Sequence, residues 1–221
     1  MKKYDMFYKY LNLILDWNSV INLTSITDKK DIVQKHFIDS LKIFKFEPLL
    51  KMRNIIDIGT GAGFPGIPMK IANENINLTL VDSTLKKVNF LKEVTSSLKL
   101  DNCVSMHERA ENICKDLEFR EKYDGVVSRA VGNLSLLSEI CLPLVKKGGY
   151  FIALKGPSIY DEIKYASLNI DILGGKINCV KEVVIENSEY RHNVLVIEKI
   201  KNTPTKYPRK PKLIGKNICF T

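Results

Sequence analysis

Asn54-Ile55-Ile56-Asp57-Ile58-Gly59-Thr60-Gly61-Ala62-Gly63-Phe64-Pro65-Gly66 joins an apolar run directly to a glycine-rich turn. Ile55, Ile56 and Ile58 read as a short buried strand. The glycines then let the chain turn sharply and bring bare backbone NH groups against a ligand at a helix start, with Pro68 placed near N1. A second apolar run, Leu78, Leu80 and Val81, closes on Asp82, whose carboxylate is placed to accept hydrogen bonds from two ribose hydroxyls. Together these features predict a pocket for an adenosyl cofactor.

Two cofactor classes use this geometry. Gly61, Gly63 and Gly66 satisfy the spacing G-x-G-x-x-G of dinucleotide sites, which alone is a weak signal. Asp57 shifts the balance, because its carboxylate would repel a pyrophosphate but attract the ammonium and sulfonium of S-adenosylmethionine. The pattern Asp-x-Gly-x-Gly-x-Gly therefore favours a methyltransferase over a nicotinamide-dependent oxidoreductase.

Working outward, the chain from about residue 51 alternates short strands with helices. Strands are expected at 54–58, 77–82, 102–106, 123–128, 149–154, 177–185 and 193–199. Helices are expected at about 68–75, 84–98, 110–120, 133–146 (ended by Gly148-Gly149) and 158–168, where Ser158 suits an N-cap. Such alternation implies a mostly parallel seven-stranded sheet covered on both faces, an α/β Rossmann-like architecture. Only the turn-rich segment 186–192 separates the last two strands, so these should form an antiparallel hairpin at one end of the sheet. Residues 1–50 read as a helical extension. Phe7, Tyr10, Leu11, Ile14 and Leu15 share one stripe, and a second helix opens near Thr27 and Asp28. On that helix His36, Asp39 and Ser40 share a face and read as a packing network. The expected organisation is thus a helical extension (1–50), a cofactor-binding core (51–200) and a basic tail (201–221).

In a doubly wound sheet the ligand lies beyond the carboxyl ends of the strands. Phe64, after the first strand, is placed to cover a cofactor. After the third strand come Ala110 and Glu111, a helix start with a carboxylate for the adenine. Ser128, Arg129 and Ala130 follow the fourth strand, beside the sulfonium and the acceptor, and Lys155 and Gly156 follow the fifth. The Asn/Asp-Pro-Pro-aromatic motif of amine methylation is absent after strand four, as is a nucleophilic Cys for pyrimidine carbon-5. A lone-pair acceptor such as a purine N7 needs no general base, only alignment at ~3 Å. No general base is therefore assigned. Arg129 and Lys155 would position the base, with a strand-end ion pair as the competing reading of each. A guanine N7 inside A-form RNA faces a groove that side chains cannot enter, so the acceptor should be unpaired.

The chain has 221 residues, 45% of them hydrophobic, which suits one main domain. Its five cysteines show no C-x-x-C spacing, which argues for a reduced, cytoplasmic chain without a disulfide framework or metal site. Charges interrupt the apolar positions near the N-terminus, so neither a signal peptide nor a membrane span is expected. The formal charge of +9 points to a polyanionic partner, although Lys, Asn and Ile are frequent throughout. The tail carries Lys199, Lys201, Lys206, Arg209, Lys210, Lys212 and Lys216, an arm that could track a phosphate backbone while Tyr207 stacks on a base. A solvated terminus is the alternative.

Asn22-Leu23-Thr24, His36-Phe37-Ile38-Asp39-Ser40, the Asp57–Pro68 loop, Asp82-Ser83, Ser128-Arg129-Ala130, Leu154-Lys155-Gly156 and Tyr207-Pro208-Arg209-Lys210-Pro211 together resemble the ribosomal RNA small subunit methyltransferase G family, also called glucose-inhibited division protein B. The resemblance implies a class I methyltransferase fold and transfer from S-adenosylmethionine to guanine N7 in a decoding-region loop of 16S ribosomal RNA. The partner would be that RNA or the small-subunit particle, with no membrane, metal or obligate protein partner. It also implies cofactor contacts at Gly59, Phe64, Ala110, Glu111 and Arg129, which join Asp57, Gly61 and Asp82 from the residue reading. The family's tail continues with Gly-Thr-Pro where this chain has Lys212-Leu213-Ile214. A noncatalytic RNA-binding assembly factor that kept the cofactor fold is the second reading.

Overall fold

A computed structural model describes residues 1–129, 132–185, 191–210 and 212–214. The expected strands form one seven-stranded sheet: β1 (Asn54–Ile58), β2 (Asn77–Asp82), β3 (Cys103–His107), β4 (Tyr123–Arg129), β5 (Val145–Lys155), β6 (Gly175–Val184) and β7 (Arg191–Lys199). Their order is β3-β2-β1-β4-β5-β7-β6. β1 to β5 pair in parallel, whereas β7 runs against both β5 and β6. The terminal hairpin is thus present, with its second strand inserted between β5 and β6. Chain order reverses between β1 and β4, so the crevice for a ligand opens at their carboxyl ends.

Two cores flank the sheet. On one face Ile55, Leu78, Leu80 and Val127 pack against the N-terminal helices through Tyr10, Ile14, Ile32 and Phe37. On the other, Ile56, Ile58, Val126 and Phe151 pack against Leu134, Leu137 and Ile170. Consecutive isoleucines point to opposite faces of a strand, which is why a strand buried on both sides reads as a continuous apolar run.

The helices are α1 (Lys3–Asn18), α2 (Lys29–Ile32), α3 (Asp39–Lys42), α4 (Gly66–Ala72), α5 (Leu85–Ser97), α6 (Ala110–Ile113), α7 (Leu134–Cys141) and α8 (Ile159–Ile172). Several depart from expectation. The second N-terminal helix does open at Asp28, whose side chain accepts from Asp31 N at 2.9 Å, but a π-helical turn over Val33–Ile38 separates α2 from α3. α6 is four residues long rather than eleven, because the chain then turns, with Asp116 Oδ1 accepting from Glu118 N at 2.9 Å. α7 stops at Cys141: Pro143 lacks the NH that a further turn requires, and β5 already begins at Val145, so Gly148-Gly149 lies within a strand instead of ending a helix. Ser158 holds the N-cap position of α8 without a side-chain capping bond.

As far as Arg209 the segment after β7 packs down, where either a phosphate-tracking arm or a solvated terminus was expected. Lys199 is fully buried, its ammonium donating to the carbonyls of Leu142 and Val145 and to Thr203 Oγ1, 3.1 Å from Glu121. Arg120 donates to the carbonyls of Thr203 and Tyr207. Tyr207 is buried in the second core, so its ring offers no face to a base. Arg209 grips the buried Glu139 carboxylate in a bidentate pair at 2.9 and 2.7 Å. Pro211, Lys216, Cys219, Ala130 and most of the 186–192 turn lie outside the described residues.

Candidate active site at the carboxyl edge of the sheet

The glycine loop is held in place from both sides. Gly59 N and Thr60 N donate to Val81 O at 2.9 and 3.1 Å, which ties the end of β1 to the end of β2. Gly61 takes a positive φ of 61°, and a β-carbon there would meet nothing within 4 Å, so the loop faces open space at this point. Gly63 is the opposite case: a β-carbon would come within 2.6 Å of Ile67 Cγ1 and 2.7 Å of the Tyr10 hydroxyl. That close approach lets α1 reach the loop, where the Tyr10 hydroxyl donates to the Ala62 carbonyl. Sequence periodicity placed Tyr10 in a core stripe and gave no signal of this contact.

Asp57 lies beneath the loop. Its Oδ2 accepts from Thr60 Oγ1 at 2.7 Å and from Gly66 N at 2.9 Å, while Oδ1 has no hydrogen-bond partner among the described residues. Burial lifts its pKa to about 6, against those two hydrogen bonds, which favour the charged form. Asp82 has both oxygens on the backbone: Oδ2 accepts from Gly61 N at 3.0 Å and Oδ1 from Thr84 N at 2.9 Å. Each oxygen retains a second lone pair for a ligand. The open face at Gly61, the orphaned Asp57 oxygen and the Asp82 carboxylate fit an adenosyl group carrying a positive charge. Ala110 and Glu111 are half-buried at the start of α6, next along the sheet edge.

Phe64 departs from its expected place. Its ring is 4% exposed, stacked on His36 at 4.5 Å between centroids and capped by the Arg129 guanidinium 4.7 Å from the ring centre. The ring is therefore held between His36 and the Arg129 guanidinium, away from solvent. Arg129 lies with its Nη1 3.3 Å from the Lys35 carbonyl and 3.5 Å from Asp39 Oδ2. Lys155 donates to the Gly132 carbonyl and pairs with Glu162, both at 2.8 Å. Both basic residues are thus strand-end ion pairs. His36 is held neutral, with its pKa pushed down to about 4 by burial first and by the Arg129 charge second. Thr24 Oγ1 lies 2.8 Å from its Nε2. The trio at positions 36, 39 and 40 splits: Ser40 bonds back to the His36 carbonyl, while Asp39 turns to Arg129 and to His192 Nδ1, 2.7 Å away. Among the described residues, no three His, Cys, Asp or Glu side chains converge on a metal position.

Residues 3–192 match the family model of rRNA small subunit methyltransferase G. The chain belongs to that family. Ribosomal RNA small subunit methyltransferase G of Clostridium botulinum (strain Loch Maree) is 52% identical over 216 residues, covering 98% of this chain and 90% of that protein. The Clostridium novyi protein of the same name is 53% identical over 210 residues, covering 95% and 86%. Among solved structures, a 16S rRNA (adenine(1408)-N(1))-methyltransferase variant from Catenulisporales acidiphilia, crystallised with its cosubstrate, shares the fold with a TM-score of 0.54 at 14% identity, over 74% of this chain and 92% of that one. A precorrin-6y C5,15-methyltransferase from Geobacter metallireducens gives 0.54 at 13% identity, over 72% and 87%. At such identities these two show the fold alone. The glycine loop after β1 and the ion-paired cations at the ends of β4 and β5 lie along the same edge of the sheet. Among the described residues, no helix is long and apolar enough to cross a membrane.

Proposed function

We propose that this cytoplasmic chain transfers the methyl group of S-adenosylmethionine to N7 of a guanine in a decoding-region loop of 16S ribosomal RNA, either free or within a small-subunit particle. The observation that carries the reading is the family match over residues 3–192, supported by a glycine loop whose Gly61 N is bonded to Asp82 Oδ2 at 3.0 Å. When bound, the cofactor supplies an electrophilic methyl group. Gly59, Gly61 and the backbone at Phe64 line its path, Asp82 takes the ribose hydroxyls, and Ala110 and Glu111 flank the adenine. Asp57 lends negative charge from below, and Arg129 stands beside the methionine end.

The acceptor side favours a nucleophile that is already competent. Lys155 is engaged in an ion pair with Glu162, and Arg129 does not deprotonate, so no proton acceptor is assigned at this end of the edge. A guanine N7 has its lone pair free and needs only in-line placement. The product base is cationic, which suits residues that bond to O6 while their charge is balanced by Glu162 and Asp39. The base must be unpaired to reach this edge.

The test is methyl transfer from labelled cofactor to 16S RNA and to unmethylated small-subunit particles, followed by nucleoside analysis. The expected product is 7-methylguanosine. Binding of either substrate without transfer supports the assembly-factor reading instead.

A further inference from the structure

Asp39 joins two parts of the sheet edge that sequence order keeps far apart. Its carboxylate is 1% exposed, yet Oδ2 lies 3.5 Å from Arg129 Nη1 at the end of β4 and Oδ1 lies 2.7 Å from His192 Nδ1 at the start of β7. His192 is itself only 4% exposed. The π-helical turn that delivers Asp39 aims two more groups at the same place. The Lys35 carbonyl faces Arg129 at 3.3 Å, and the His36 ring lies on Phe64, which the Arg129 guanidinium caps. A π turn inserts a residue and changes which side chains face inward, and such turns concentrate at functional sites. A buried carboxylate clamped between a guanidinium and an imidazole is a costly way to pack a helix on a sheet, since apolar residues of the same volume are often as stable.

A cavity of about 300 Å³ opens on this cluster, lined by Asp39, Arg129, Lys155, Gly156, Arg191 and His192 among others. It lies on the acceptor half of the edge. In the order β2-β1-β4-β5-β7, His192 stands four strands away from Asp82, roughly 19 Å at the usual strand spacing. We propose that Asp39 and His192 are a positioning pair for the acceptor guanine: together they lock the Arg129 guanidinium and the start of β7 into one wall of this cavity. The purine edge then meets its donors at a fixed spacing. The inference rests on the reading of this edge as a guanine-methylating site. Neither residue is required to touch the base, and neither transfers a proton.

Asp39→Asn removes the carboxylate charge that faces Arg129, and His192→Gln removes the rigid imidazole that fixes Asp39, each at nearly constant size. The experiment measures kcat/KM for unmethylated small-subunit particles, the affinity for S-adenosylhomocysteine and the melting temperature, for each variant and for the double variant. Misplacing a positioning group by about 1 Å costs on the order of a hundredfold. Each single variant is therefore expected to lose about tenfold to a hundredfold in kcat/KM, with a clearly smaller loss of cofactor affinity, since Arg129 also stands beside the methionine end. Because the two act as a unit, the double variant should lose no more than the worse single. If kcat/KM stays within about twofold while only the melting temperature falls, the pair is structural and the proposal is overturned. Additive losses, or an equal loss of cofactor affinity, overturn it as well. If Asp39→Asn does not fold, His192→Gln alone decides by the same criteria. No transfer by the unaltered protein would instead overturn the underlying methyltransferase reading, before any variant is compared.

Discussion

Asp82 Oδ2 accepts a hydrogen bond from Gly61 N at 3.0 Å, so the residue expected to hold the ribose also holds the loop beside it. Its other oxygen accepts from Thr84 N at 2.9 Å, at the entrance to α5. One carboxylate thereby fixes the spacing of the β1 and β2 turns before any ligand arrives.

Asp82→Ala should accordingly do two things. Leaving two partly buried backbone donors without partners costs about 1–3 kcal/mol each, and loss of the ribose acceptor adds to the binding defect. Cofactor affinity is expected to fall more than about tenfold, with a lower urea midpoint; Asp82→Asn, which keeps one acceptor, should lose less stability. Titration calorimetry and urea unfolding on the same samples check this. Unchanged affinity in Asp82→Ala would remove the ribose role.

Asp57 makes cofactor affinity depend on pH. Burial lifts its pKa to about 6, so the free protein carries a neutral Asp57 below that pH and a charged one above it. A sulfonium favours the charged form. Affinity for S-adenosylmethionine should therefore fall as pH drops through about 6, by at most about tenfold per pH unit for one proton. S-adenosylhomocysteine, whose sulfur is neutral, should respond less. Parallel pH profiles for both ligands would show Asp57 to be only a brace under the loop.

His36 should weaken the fold in acid. Its pKa drops from 6.5 to about 4 on folding, so as pH falls the unfolded chain binds the proton first. Stability is lost progressively between those two values and no further below about 4. Asp57 acts in the opposite sense, because its pKa rises from 3.8 to about 6, so the comparison must be made against a variant. His36→Phe keeps a ring for Phe64 to stack on. Urea unfolding at pH 7.5, 5.5 and 4.5 should show the variant gaining on the unaltered protein as pH falls; a constant difference would mean that His36 titrates normally.

Truncation before Lys206 should cost stability before it costs RNA affinity. It removes Tyr207 from the second core and takes Arg209 from a fully buried Glu139 carboxylate. Breaking a buried pair by removing one partner costs about 3–5 kcal/mol. The urea midpoint is expected to fall accordingly. An unchanged midpoint with a shallower salt dependence of RNA binding would restore the phosphate-tracking arm.

The fold was legible because its signals are local. The runs ending at Ile58 and Asp82 are mostly apolar, and the glycine turn between β1 and α4 permits few alternatives, so strand positions and the cofactor class followed from composition and spacing. Helix ends were less so: Pro143 and the early start of β5 override a favourable pattern for α7, and a turn at Asp116 cuts α6 short. The acceptor side was hidden because its contacts are long-range. Nothing in sequence pairs Asp39 with His192, Lys155 with Glu162, or Tyr10 with the Ala62 carbonyl. The basic composition of the tail pointed to RNA, whereas Lys199, Tyr207 and Arg209 serve to bind it to the body of the protein.

This chain is proposed to place a methyl group on guanine N7 in 16S ribosomal RNA. Mapping modified nucleotides in 16S RNA from cells with and without the protein tests it most directly. One 7-methylguanosine in an unpaired decoding-region loop should be lost with the protein and restored by supplying it, but not by its Asp82→Ala variant at limiting cofactor. A modification pattern identical in both RNAs would contradict the proposal.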